Sequence, residues 1–232
     1  MEMKNLCITL HLQTALIPGK YPLNLDGLLY WAAYEGSHDD EQKALEIVSK
    51  ALASKDGVFC SSDMIYLQTL QGGITQGEAV FSTNFKWSEH KYPLNRKSIM
   101  ELGGPYRSRL TTYKSINVEA VRFYAVGNPG LIQFLIESAG FIGRGNNQGH
   151  GEIKEITFDE MDQDLSWYAI DEDGSIQLNR CLPVSLCDNI PELNEAMDKA
   201  DQTLLRTAPP YITSPEVLGY STNFRREVVA SL

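Results

Sequence analysis

Hydrophobic positions first recur at every second residue. Leu6, Ile8, Leu10 and Leu12 alternate with Cys7, Thr9, His11 and Gln13, which predicts a strand over Asn5–Thr14. A loop with a Pro-Gly turn signal follows at Ile17–Pro22. The spacing then becomes helical. Asn24 stands at an N-cap, Leu25, Leu28, Leu29 and Ala32 form an apolar stripe, and Gly36 is placed to end it. A second helix is expected over Asp40–Ser54, with Ala44, Leu45, Val48 and Leu52 on one face and acids at its start. Strand character returns over Val58–Tyr66 and again over Tyr113–Ala125. Asn128-Pro129 is an N-cap followed by a first-turn proline, Leu131, Ile132, Leu135 and Ile136 make the next buried stripe, and Gly140 suits a left-handed helix stop. Glu152–Phe158 alternates once more.

The order strand, helix, strand, strand, helix, strand predicts an α+β fold with a ferredoxin-like (RRM-like) βαββαβ core. Residues 1–160 are expected to hold that core, including a basic, aromatic insertion at 81–112. Residues 161–232 are expected to form a C-terminal extension packed on it. In the extension, Trp167–Ile170 and Ile176–Asn179 flank a turn at Asp171–Ser175, an acidic helix is expected near Pro191–Leu205, and a tail carries Ala208-Pro209-Pro210-Tyr211.

Composition narrows the classes. A hydrophobic content of 43% is enough for a sizeable core. No apolar run approaches the roughly 18 residues of a membrane helix, and Met1–Thr14 lacks the pattern of a secretory signal, so a cytoplasmic protein is expected. The cysteines at 7, 60, 181 and 187 fit no common zinc spacing and read as reduced thiols; neither a metal nor another cofactor is implied. The net charge of −10 opposes wholesale coating by nucleic acid. It is unevenly spread. Residues 86–122 carry eight bases (Lys86, Lys91, Arg96, Lys97, Arg107, Arg109, Lys114, Arg122) against three acids, whereas 152–201 carry fourteen acids against three bases. A local basic stripe attracts phosphates whatever the global sign, because screening confines charge effects to about 8 Å at physiological salt. Two solvated faces of opposite sign would produce the same numbers.

The densest candidate chemistry is Gly140–Gly151, in which five of twelve residues are glycine. Glycine permits positive φ and lets backbone N–H groups approach a phosphate with no Cβ between. Arg144 offers a fork of donors, and Asn146, Asn147 and Gln148 offer amides for base edges or ribose hydroxyls. A dinucleotide fingerprint requires such glycines between a strand and a helix, and here the order is reversed. A P-loop requires Gly-Lys-Ser/Thr at its end, and this run ends Gly149-His150-Gly151. A mobile surface turn and an RNA-holding loop remain.

Gly143-Arg144-Gly145 through Gly149-His150-Gly151, directly before a strand, resembles the glycine loop of the repeat-associated RAMP proteins of CRISPR systems. Together with Tyr21-Pro22-Leu23-Asn24-Leu25-Asp26-Gly27-Leu28-Leu29-Tyr30-Trp31-Ala32 and Pro209-Pro210-Tyr211, the chain is most similar to the type IV Cas-five-like subunit. That resemblance implies a non-catalytic subunit that binds the 5′ handle of a guide RNA, caps the filament of a surveillance complex beside backbone and large-subunit-like proteins, and lies near the protospacer-adjacent motif of target DNA. The expected RNA-binding residues are Gly143, Arg144, Gly145, Asn146, Asn147, Gln148, Gly149 and His150 in the loop, with Arg96, Lys97, Tyr106, Arg107, Arg109 and Lys114 in the basic stripe.

The alternative is a metal-independent guide-precursor endonuclease using His90 or His150. No acid–base partner for either is evident in the sequence, nor for His11 or His38. Asp171-Glu172-Asp173-Gly174-Ser175 lacks the later ligands of a calcium loop and reads as a hairpin turn. Trp87, Tyr92 and Tyr106 suit either base stacking or a core.

Overall fold

The computed structural model of the chain describes residues 2–69, 73–83, 109–222 and 224–230. In chain order the elements are β1 (Lys4–Leu12), α1 (Leu25–Gly36), α2 (Glu41–Ala51), β2 (Ser54–Lys55), β3 (Val58–Phe59), β4 (Ile65–Thr69), β5 (Thr75–Thr83), β6 (Arg109–Asn117), β7 (Ala120–Gly127) and α3 (Pro129–Ala139). Then come β8 (Ile153–Glu160), β9 (Tyr168–Ile170), β10 (Ile176–Leu178), β11 (Leu182–Pro183), α4 (Val184–Cys187), α5 (Pro191–Ala196), β12 (Gln202–Leu205), β13 (Val217–Tyr220) and β14 (Arg225–Val229). The protein is α+β, built on a five-stranded mixed sheet of order β14-β4-β7-β1-β8. β1 runs antiparallel to both β7 and β8, β4 antiparallel to β7, and β14 parallel to β4.

The period-two pattern of β1 has the expected consequence. Leu6, Ile8 and Leu10 are 2% exposed or less and join Val121, Phe123 and Ala125 of β7 beneath α1, α2 and α3. Each such side chain contributes roughly 1.5–3 kcal/mol by leaving water. Cys7, Ile65 and Tyr124 pack on the opposite face. The α3 boundaries follow the capping rules. The Asn128 side chain accepts a hydrogen bond from the Leu131 N–H, Pro129 opens the helix, and Gly140 ends it at φ 68°. Asp40 caps α2 by accepting from the Lys43 N–H. Asn24 precedes α1, but its side chain donates to Asp63 instead of capping.

Several expectations need correction. α2 stops at Ala51, because Leu52 turns extended and is buried against Gly127. The predicted strand Val58–Tyr66 is two pieces, β3 and the start of β4, separated by a bend in which Ser61 and Ser62 are fully buried. Tyr113–Ala125 likewise spans two strands, β6 and β7. β6 pairs with β5 in a long antiparallel hairpin from Thr75↔Asn117 to Thr83↔Arg109. The irregular insertion expected from residue 81 is therefore strand at its root; its remainder, 84–108, lies outside the described residues. The acidic helix ends at Ala196, and the chain turns back as β12. β13 and β14 lie where only a tail was expected, β11 precedes the acidic helix, and β14 adds an edge to the central sheet.

Candidate nucleic-acid interface

The glycine loop is folded around the segment that leaves β1. The Arg144 N–H donates to Ile17 O at 2.9 Å, the Gly151 N–H to Ala15 O at 3.0 Å, and the Glu152 N–H to Thr14 Oγ1 at 2.9 Å. Ile142 N–H closes the loop onto Gly151 O at 2.8 Å. A single 3₁₀ turn at Asn146–Gln148 sits at the tip, with Gly145 and Gly149 at φ 75° and 80° on either side. Gly143 and Gly151 are also left-handed, at φ 80° and 72°. For these two, size matters as well as φ. A Cβ on Gly143 would stand 2.7 Å from Ile17 O, and one on Gly151 would stand 1.9 Å from Ile142 O. Many of the loop's amides thus serve its own fold. Those of Gly143, Gly145 and Asn146 have no hydrogen-bond partner among the described residues. Arg144, Asn147 and Gln148 are exposed, and the Arg144 guanidinium makes no ion pair among the described residues.

The same β1 exit segment ties the loop to the β5–β6 hairpin. Leu16 and Ile116 exchange both backbone hydrogen bonds, at 2.9 and 2.7 Å. Above them the Phe81 ring stacks at a tilt on Tyr113, centroids 5.4 Å apart, and meets the His150 ring edge-on at 5.5 Å. His150 Nδ1 lies 3.2 Å from Ala15 O. His150 is therefore a wall between loop and hairpin. Lys114 is exposed on β6, opposite Glu78 of β5. Arg109 begins β6. Arg96, Lys97, Tyr106 and Arg107 fall outside the described residues, as do Trp87, His90 and Tyr92, but the strands that flank 84–108 are rooted beside the glycine loop.

Sequence reasoning missed two features. The first is a groove of about 220 Å³ between α1 and the loop, lined by Leu23, Gly27, Leu28 and Trp31 on one side and Phe141, Gly143 and Asn146 on the other. The opening segment and the glycine run, distant in sequence, form its two walls. The second is a buried ionic lock. Arg180, wholly buried, pairs with buried Asp26 of α1 at 3.2 Å and donates to Phe59 O, Ser61 O and Thr207 O at 2.7, 3.0 and 2.6 Å. The Tyr211 hydroxyl donates to Asp26 at 2.8 Å, and its ring rests against Gly27. Burial opposes the Arg180 charge, and Asp26, Tyr211 and Asp63 together more than offset it, so its pKa lies above the ordinary value. Asp63, nearby, accepts from Asn24 and Thr222, and burial pushes its carboxyl up to about 6. The lock fixes the start of α1, and hence one wall of the groove, to the C-terminal extension. A lone arginine inside the acidic block 152–201 was its available signal.

The thiols are not poised for chemistry. All four cysteines are free, and burial raises the pKa of each, Cys60 and Cys187 to about 11. Asp171–Ser175 is a hairpin turn, closed by Asp171 N–H to Ser175 O and Gly174 N–H to Asp171 O, both at 2.9 Å. No helix among the described residues is long and apolar enough to cross a membrane.

Residues 62–170 match the family described as CRISPR type IV associated protein Csf3. The matched span holds the β5–β6 hairpin and the glycine loop. Among solved structures, the chain is similar to one in the cryo-EM structure of the Type III-B Cmr-beta bound to cognate target RNA. Identity is 13%, coverage is 68% of this chain and 61% of that one, and the TM-score is 0.40. No curated protein matches the chain significantly. The matched residues, just under half of the chain, include the glycine loop, so over that span the chain is similar to a type IV CRISPR-associated family, in agreement with the resemblance the loop carries.

Proposed function

We propose that the protein is a non-catalytic, cytoplasmic RNA-binding subunit of a CRISPR ribonucleoprotein complex, holding the 5′ handle of the guide RNA and capping the filament of subunits. The observation that carries this reading is the loop tip. Three amides without a hydrogen-bond partner among the described residues, at Gly143, Gly145 and Asn146, stand among exposed Arg144, Asn147 and Gln148. Backbone N–H groups beside an arginine fork suit the oxygens of a sugar–phosphate chain. The root of the β5–β6 hairpin adjoins this tip, which supports a role for Arg96, Lys97, Tyr106, Arg107, Arg109 and Lys114 on the same RNA.

The order β8-β1-β7-β4, all antiparallel, with α1 and α2 before β4 and α3 before β8, supports a ferredoxin-like core within residues 1–160. Residues 161–232 act as an extension packed on that core, through the Arg180 lock and β14. Contact with the protospacer-adjacent motif of target DNA belongs to the same proposal. His150, held against Ala15 O and Phe81, favours a structural role over the endonuclease alternative.

The test is equilibrium binding of single-stranded repeat RNA across a salt series, for wild type and Arg144→Glu. Each lost phosphate contact removes roughly 0.7 from the slope of log affinity against log salt. A weaker, flatter response in the variant is expected. Equal affinity and slope would overturn the assignment. Defined RNA cleavage without metal, lost in His150→Ala, would establish the endonuclease instead.

A further inference from the structure

The groove between α1 and the glycine loop has a chemistry that a backbone clamp leaves unused. Leu23, Leu28, Trp31 and Phe141 give it apolar and aromatic walls, and Asn146 adds a side-chain amide to the lining. Its volume, about 220 Å³, accommodates one flat heterocycle rather than a length of chain. Two of the three residues with unpartnered amides, Gly143 and Asn146, line this groove, and exposed Arg144 stands between them in sequence. A phosphate held by those amides and Arg144 therefore places its nucleoside at the groove mouth.

Resting on the RNA-binding reading above, we propose that the groove is a slot for a single unpaired RNA base. The base stacks on Trp31 or Phe141 and presents its edge to the Asn146 amide. Sequence-specific RNA recognition commonly works this way, with splayed bases stacked on aromatic rings and hydrogen-bonded at their edges. The Asn146 Oδ1 already accepts from the Asn147 N–H at 2.8 Å, which leaves the side-chain NH2 donors and the oxygen's second lone pair for such an edge. The surrounding charge selects the occupant. An exposed guanidinium and free N–H donors favour a polyanion over a neutral peptide. The wall on the α1 side is held still by the Asp26–Arg180–Tyr211 lock immediately behind Gly27, which spares the bound state part of the cost of ordering the site.

The experiment uses the full chain and repeat-sequence single-stranded RNA carrying 2-aminopurine at one position at a time. Binding by wild type is expected to quench one position selectively. Trp31→Phe retains the quench. Trp31→Leu weakens it and lowers affinity roughly tenfold, the scale of one lost base–aromatic stack. Asn146→Ala, at a half-exposed loop position, relaxes base preference at that nucleotide alone, and thermal melts of each variant confirm folding. Tight binding by wild type with no quenched position, or Trp31→Leu and Asn146→Ala both indistinguishable from wild type, overturns the base slot while leaving RNA binding intact. Absence of RNA binding by wild type overturns both readings. Normal RNA binding by Trp31→Leu with loss of another complex subunit on co-purification assigns the groove to a protein neighbour and likewise overturns the slot.

Discussion

Gly149 and Gly151 stand two residues apart in the same loop with nearly the same left-handed backbone, at φ 80° and 72°. Replacing each by alanine separates conformational strain from close packing. Around Gly149 a Cβ meets nothing within 4 Å, so Gly149→Ala costs only the left-handed conformation, about 1 kcal/mol. At Gly151 the Cβ would lie 1.9 Å from Ile142 O and 3.3 Å from Leu16 Cδ1. Relief requires moving the loop off Ile142 and Ala15, which breaks the Ile142 N–H to Gly151 O and Gly151 N–H to Ala15 O bonds of 2.8 and 3.0 Å. Each contributes about 0.5–1.5 kcal/mol, and more where a buried partner is left unpaired. The expected cost of Gly151→Ala is therefore roughly 3–5 kcal/mol. For a chain of this size each kcal/mol lowers the melting temperature by about 2–4 °C. Circular dichroism melts should place Gly149→Ala a few degrees below wild type and Gly151→Ala roughly 8–15 °C below. Equal melting temperatures for the two variants would refute the view that the loop is shaped by its contact with the β1 exit.

Other perturbations read other parts of the account. Arg180→Met leaves Asp26 buried and unpaired, so urea unfolding should show a loss of about 3–5 kcal/mol, the usual cost of breaking a buried ion pair from one side. Tyr211→Phe removes one hydrogen bond to that carboxylate and should cost about 1.5–3 kcal/mol in the same assay. Because burial raises Asp63 from 3.8 to about 6, the folded state holds its proton more tightly than the unfolded chain between those values, and this group's contribution to stability falls as pH rises through that window. Asp63→Asn removes the slope. The stability of the variant relative to wild type should therefore climb by on the order of 1–3 kcal/mol between pH 4 and pH 7, and a pH-independent difference would contradict the burial effect.

Much of the fold was legible because local signals and tertiary packing agreed. Alternation in β1 and the capping of α3 by Asn128, Pro129 and Gly140 needed no distant partner to be read. The C-terminal strands were not legible. β13 is held by β11 and β12, and β14 lies parallel on β4, a pairing across more than half the chain with no local pattern to announce it. β5 was hidden because Thr75–Thr83 contains glycine and polar residues, and its strand state depends on pairing with β6. The glycine loop was legible as a loop of defined position, but its mechanics were not. The sequence suggested glycines that bare the backbone to a ligand. At Gly143 and Gly151 they instead let the chain press against Ile17 and Ile142, leaving only part of the backbone free. Trp31 and Phe141 stood in plain view, yet nothing local says that they line one groove.

The most direct measurement is a map of where RNA touches the unaltered protein, obtained by ultraviolet crosslinking of bound single-stranded repeat RNA and mass spectrometry of the adducts. The account predicts adducts within Gly140–Gly151 and on the peptides of the β5–β6 hairpin. RNA bound at comparable affinity but crosslinked only to the acidic segment 152–201 or to the β11–β13 sheet would contradict it.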